Sequence, residues 1–164
     1  MSDFAPKSER FFLDTNIALY CFDDTTPLKQ SRAKDLMAHG ASSGMGVVSY
    51  QVLQEFCNVA SASKRLALSA EQTMAFASLL LAPMNKVEPS LALLASALKI
   101  KAEVGYSFYD SLIVAAAAQA GCHVLYSEDM QHGQLVAGLR ILNPFINSAN
   151  DPVNLPFNAT ASPN

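Results

Sequence analysis

The strongest constraint on this chain is its alternation of short apolar runs with longer stretches of helical character. Arg10-Phe11-Phe12-Leu13 reads as a strand and residues 15–22 as a helix. Thr26 before Pro27 offers an N-cap with proline at the first helical position, predicting a helix to about His39 with Gly40 as its stop. Gly46-Val47-Val48 reads as the second strand, and Ser49 caps a helix from Tyr50 to about Lys64. Ser69 and Gln72 have capping-box spacing, for a helix to about Ala82. Val87 falls in a short strand, and Pro89 opens a helix that closes near Gly105. Ser107 caps a helix over 108–120 ended by Gly121, and residues 123–126 and 139–142 are the last strands. Strands separated by crossover helices imply a mainly parallel sheet. A sheet covered on both faces has strands that read as unbroken apolar runs, as 11–13 and 124–126 do. The expected fold class is α/β, with a central, mainly parallel sheet flanked by helices in three layers.

With 164 residues and 51% apolar content, the chain is long enough for one domain with a sizeable core. That domain is expected over 10–146, after an extension at 1–9. Residues 147–164, rich in Asn, Pro, Ala and Ser, read as a polar tail that is surface-laid or disordered. No apolar run reaches membrane-spanning length, and the start lacks a basic region followed by an apolar one, so a cytoplasmic location is expected. Cys21, Cys57 and Cys122 lie far apart in apolar surroundings and read as small buried hydrophobes. A net charge of −3 with 11 Lys plus Arg argues against holding nucleic acid by charge neutralisation alone. It leaves room for an enzyme that cuts nucleic acid with bound cations offsetting an acidic site.

In a parallel α/β sheet, ligands bind beyond the carboxyl ends of the strands. Asp14 directly follows the first strand, and Asp129 lies just past the strand at 123–126. Asp110 sits three residues after Ser107, in the first turn of a helix. Each has an ordinary role of its own: N-cap for Asp14, capping box for Asp110, turn residue for Asp129. Together they fall on one sheet edge. Glu55, about two turns into the helix after the second strand, is long enough to reach back to that edge. By helix phase, however, it points away from the stripe of Leu53, Phe56, Cys57 and Ala60, which leaves it either half-buried or solvated. Four converging carboxylates repel one another unless a divalent cation joins them, and an all-oxygen set suits Mg²⁺ or Mn²⁺. Thr15, Asn16, Ser127 and Glu128 are placed to orient such ligands or to cap helices and turns. His132 reads as a surface residue beside a turn. Lys29, Arg32, Lys64 and Arg65 are candidates for phosphate contacts or for solvated helix faces and ends.

These local sequences resemble the PIN-domain family. The family's Asp-Thr-Asn-like motif matches Phe12-Leu13-Asp14-Thr15-Asn16, and its helical glutamate matches Gln54-Glu55-Phe56. An aspartate before an Ala-rich helix matches Phe108-Tyr109-Asp110-Ser111-Leu112, and a late acid after a strand matches Leu125-Tyr126-Ser127-Glu128-Asp129. The resemblance covers about residues 10–146 and is closest to the VapC-type toxins. It implies an endoribonuclease dependent on Mg²⁺ or Mn²⁺ and bound by Asp14, Glu55, Asp110 and Asp129. It also implies an RNA substrate, a small cognate antitoxin that occludes the site, and a homodimer. Two other readings of the residues stay open. One is phosphoryl transfer through Asp14 as nucleophile, which would be served by an acid at position 16, where Asn16 stands. The other is a non-catalytic protein-binding module whose acids only cap helices.

Overall fold

The structure, a computed structural model, describes residues 9–146. The expected polar tail, and all of the expected N-terminal extension except Glu9, lie outside the described residues. Among the described residues are six strands: β1 Phe11–Leu13, β2 Gly46–Ser49, β3 Asn85–Val87, β4 Val124–Tyr126, β5 Leu135–Val136 and β6 Leu139–Leu142. They form one sheet in the order β3-β2-β1-β4-β6-β5, parallel throughout except for β5, which runs antiparallel to β6. The helices are α1 Thr15–Tyr20, α2 Pro27–Ser43, α3 Tyr50–Ala62, α4 Ala70–Phe76, α5 Ala82–Met84, α6 Leu91–Val104 and α7 Phe108–Gln119. A π-helical turn, Ala77–Leu81, joins α4 to α5. The expected α/β fold is therefore present, with a mostly parallel sheet flanked by helices.

The strand order sets where a site can form. From β1 the chain steps outward to β2 and β3, then returns to place β4 on the other side of β1. Parallel crossovers are right-handed, so opposite steps send their helices to opposite faces. The contacts agree: α1 packs on α2 and α3, and α2 on α5, whereas α6 packs on α7 and α7 on β2 and β6. The reversal point lies between the carboxyl ends of β1 and β4, where such sheets open a crevice. Every residue of β1 and β2 is buried. Beneath the crevice Phe12, Leu13, Ile17, Phe56 and Tyr126 are almost wholly removed from solvent. An aromatic trio seats α3: Phe76 meets Phe22 with ring centroids 4.8 Å apart and Phe56 at 4.9 Å. Truncating Phe56 to alanine would cost about 3–5 kcal/mol by transfer and cavity terms, and would loosen the helix that carries Glu55.

The elements depart from the expected pattern in four places. Helix α2 passes through Gly40 and ends at Gly44, which takes the left-handed conformation at φ 70°. Gly40 is instead a packing glycine. A Cβ on Gly46 would stand 2.5 Å from the Cα of Gly40, so helix and strand meet backbone to backbone and only glycine fits. Ser90, not Pro89, starts α6, its hydroxyl accepting from the Leu93 amide at 3.1 Å. The helix from Ser69 continues through the π turn to Met84. Finally, β5 pairs with β6 across Ala137 and Gly138, both at positive φ, a hairpin too short to show period-two patterning. The capping box at Ser69–Gln72 and the cap at Ser107 form as expected, whereas Thr26 and Ser49 stand at the N-cap positions of α2 and α3 without a side-chain cap hydrogen bond. Among the described residues no helix is long and apolar enough to cross a membrane.

Candidate active site

Asp14 ends β1 and caps α1. Its Oδ1 accepts from the Thr15 amide at 2.7 Å, and its Oδ2 accepts from the Ser127 hydroxyl at 2.7 Å. Ser127, fully buried just past β4, also accepts from the Asp129 amide at 3.3 Å. One hydroxyl thus joins the two strand ends that flank the crevice. Asp14 is only 6% exposed. Burial pushes its carboxyl up to about 7, outweighing the bonds from Ser127 and Thr15 that lower it, while the charges of Glu55 and Asp129 raise it further.

Glu55 comes from the second turn of α3. One of its oxygens accepts from the Thr15 hydroxyl on α1, and the other from Gln51 Nε2 at 2.6 Å. Its helix buries Val52, Phe56 and Ala60, leaving Leu53 and Cys57 only partly covered. Glu55 therefore lies at the border of the buried face, beside α1, and not on an open solvent face. Asp110 sits in the first turn of α7, where Ser107 caps its amide at 3.1 Å. Asp129 is exposed and accepts from Asn16 Nδ2 at 3.1 Å.

These four acids, with Thr15, Asn16, Gln51 and Asn58, line one cleft of about 250 Å³ whose apolar lining is Leu19, Val59 and Ile113. Among the described residues, no Lys, Arg or His lines it. The amide oxygens Asn16 Oδ1 and Gln51 Oε1 are buried there without a hydrogen-bond partner. Sequence reasoning missed two polar lining residues, Asn58 and, more consequentially, Gln51. Its Nε2 also donates to the Tyr109 carbonyl at 3.2 Å, so one amide ties the acid of α3 to the helix start that carries Asp110. The readable signal was its position four residues before Glu55, a spacing at which glutamine and acid meet on a helix.

Other expected neighbours lie elsewhere. Glu128 turns away from the cleft, its carboxylate taken by Lys29 and by the Tyr20 hydroxyl. Lys29 is held there, over the Tyr20 ring at 4.9 Å, and Arg65 pairs with the buried Asp23 at 3.0 Å. Both are engaged in ion pairs, although 61% of the Arg65 side chain stays exposed. Arg32 and Lys64 are not among the cleft residues. His132 Nδ1 accepts from the Asn143 amide at 3.0 Å, a structural bond behind the β4 turn. Cys21 and Cys122 are buried, Cys57 is partly buried, and all three are free thiols.

A cation fits this cleft by donor chemistry. Carboxylates and unpartnered amide oxygens face one another without a fixed positive charge, an arrangement that hard divalent ions satisfy. The ligand set is not preassembled: among the described residues no three of Asp, Glu, His and Cys stand close enough to share one ion.

The pattern that defines the PIN domain matches residues 11–135 of the sequence. The chain belongs to the PIN-domain family. No curated protein sequence matches it. Among solved structures, this PIN domain is similar to a chain of the DNA-bound VapBC from Salmonella typhimurium, at 20% identity and a TM-score of 0.59, covering 81% of this chain and 96% of that one. It is also similar to a chain of VapBC2 from Rickettsia felis bound to a promoter DNA fragment, at 16% identity and a TM-score of 0.53, covering 80% and 96%. At such identities the likeness establishes the shared fold. The PIN match runs from the first residue of β1 to the first of β5, and so takes in all four acids.

Proposed function

We propose that this PIN domain is a divalent-metal-dependent endoribonuclease of the VapC type, the toxin of a two-component pair. The observation that carries the reading is the acidic cleft itself. Asp14, Glu55, Asp110 and Asp129 line it with no basic side chain, and burial holds the central carboxyl near 7. Asp14, Glu55, Asp110 and Asp129 would hold Mg²⁺ or Mn²⁺. When bound, the ion supplies Lewis acidity to a phosphodiester and lowers the pKa of water.

The chain's own groups supply the framework. Ser127 and the Thr15 amide fix both oxygens of Asp14 at the crevice. Thr15 and Gln51 aim Glu55, and Asn16 steadies Asp129. Asp14, whose carboxyl burial raises to about 7, would have to release the proton it carries part of the time near neutral pH in order to hold an ion. Phosphoryl transfer through Asp14 is less well served, because both its oxygens already accept hydrogen bonds and Asn16, which has no proton to lose, spends its amide on Asp129. A small antitoxin that covers the cleft is the partner that fits this reading, supported by the fold likeness to chains of two VapBC complexes. Homodimerisation follows from the same family reading.

The decisive experiment is cleavage of a pool of structured RNAs by the purified chain with Mg²⁺, Mn²⁺ or EDTA, alongside Asp14→Asn and Asp110→Asn. Cleavage that needs the ion and is lost in both folded variants supports the proposal. Cleavage retained by both variants rejects the site.

A further inference from the structure

Resting on the metal-dependent reading, we propose that the side-chain oxygen of Gln51 docks the water shell of the ion, so that the ligand this cleft receives is a divalent cation still hydrated. The Gln51 amide has one workable orientation. Its Nε2 donates to Glu55 Oε1 at 2.6 Å and to the Tyr109 carbonyl at 3.2 Å, and both partners only accept. Turned over, the amide would set its oxygen against a carboxylate and a carbonyl. Both of its N–H groups are therefore spent, and Oε1 is left buried in the cleft lining without a hydrogen-bond partner. Asn16 repeats the arrangement from α1. Its Nδ2 donates to Asp129 Oδ2 at 3.1 Å, while its Oδ1 is buried and unpartnered. A buried acceptor left unmet opposes folding. Two of them in one cleft, each on an amide whose nitrogen holds an acid, point to a donor that comes from outside the chain.

That donor has to suit the acids as well. Among the described residues, no Lys, Arg or His lines the cleft. A free water could donate to the amide oxygens, but it leaves the carboxylate charge unanswered. A bare ion could answer the charge, but no three acids among the described residues stand close enough to share one. A hydrated divalent ion meets both demands. Its waters donate outward to carboxylate and amide oxygens alike, and they widen the ion so that it reaches acids set apart. Mg²⁺ gives up its waters reluctantly. Six waters at about 30 Å³ each occupy roughly 180 Å³, and the cleft offers about 250 Å³. Gln51 thus holds Glu55 with one end of its amide and the shell with the other.

The test uses the RNA-free protein at pH 8 and two probes. One is Mn²⁺, whose free form is read by electron paramagnetic resonance. The other is cobalt(III) hexaammine, a mimic of hydrated Mg²⁺ that offers only outward N–H donors and does not exchange its ligands. Wild type should bind both, the hexaammine displacing Mn²⁺. Leucine is a strong helix former, so Gln51→Leu should fold, and it should raise both dissociation constants about tenfold, the loss of one hydrogen bond from a charged group. Thr15→Val frees Glu55 from its other hydrogen bond but keeps the Gln51 oxygen, and should raise the hexaammine constant by no more than about threefold. An equal rise in the two variants means that Gln51 acts only by aiming Glu55, and overturns the proposal. So does hexaammine that Gln51→Leu binds as tightly as wild type, or that wild type does not bind while it binds Mn²⁺. Failure of wild type to bind either probe overturns the proposal together with the metal-dependent reading. Binding with the expected loss in Gln51→Leu, but no cleavage of the RNA pool, supports the proposal and rejects the nuclease reading alone.

Discussion

Replacing Asp14 by asparagine should stabilise the metal-free protein, because the wild-type fold maintains a carboxylate where burial opposes its charge. The Asp14 carboxyl is raised from 3.8 to about 7. At about 1.36 kcal/mol per unit this penalises folding by roughly 4 kcal/mol once the group must ionise. The sign follows from linkage. Below pH 3.8 both folded and unfolded chains hold the proton and nothing is lost. Between 3.8 and 7 the unfolded chain releases its proton first, so stability falls as pH rises, and above 7 the whole penalty applies. Asparagine has the same shape and no charge. Its carbonyl can keep the Thr15 amide, and its amide can donate to Ser127, whose hydroxyl turns to accept. Allowing about 1 kcal/mol for a poorer bond, the variant should be more stable by about 3 kcal/mol at pH 8 in EDTA. For a chain of this length that is a rise in Tm of about 6–12 °C. At pH 5 the gap should shrink by more than half. Adding Mn²⁺ should nearly close the gap at a hundredfold excess over Kd, where wild type alone gains about 2.7 kcal/mol, and reverse the order at a thousandfold excess, where it gains about 4.1 kcal/mol. Thermal melts at pH 5 and pH 8, with EDTA and with Mn²⁺, measure all of this. A variant less stable than wild type in EDTA at pH 8, or a gap that ignores pH, would refute the burial argument.

Three further outcomes are expected. Asp110→Asn should melt close to wild type, since the Ser107 hydroxyl caps the residue's backbone amide and not its side chain. Its RNA cleavage should nevertheless drop by about a hundredfold or more, read by gel at saturating Mg²⁺. Glu128→Gln should keep the Mn²⁺-dependent rise in Tm and cleave within a few-fold of wild type, because Glu128 faces Lys29 and Tyr20; loss of the metal response would instead make it a ligand. Gly46→Ala should cost about 1–3 kcal/mol in chemical denaturation, since its Cβ would fall 2.5 Å from backbone that cannot step aside.

Much of the architecture was legible because it is written locally. Ser69–Gln72 and Ser107 mark helix starts whose bonds form as their spacing implies, and the apolar runs at β1 and β4 announce a sheet buried on both faces. What escaped depends on distant chain. Gly40 looks like a helix stop, and only the approach of Gly46 shows why glycine stands in mid-helix. The phase of its own helix leaves Glu55 either half-buried or solvated, because the hydroxyl that donates to it comes from α1, forty residues earlier in sequence. Glu128 and Asp129 are adjacent acids with equal local claims. The turn after β4 aims one toward Lys29 and the other toward Asn16, and no local pattern distinguishes them.

The Ser127–Asp14 bond spans 113 residues, and this separation has a consequence in time. β4 docks beside β1 only after nearly all the chain has been made, and with it come Ser127 and Asp129. Domains emerge from the ribosome N-terminus first. A chain still tethered short of residue 127 carries Asp14, Glu55 and Asp110 but lacks the far wall of the cleft. On the nuclease reading, the cleft that would cut a strand is completed only when residues 127–129 join the fold.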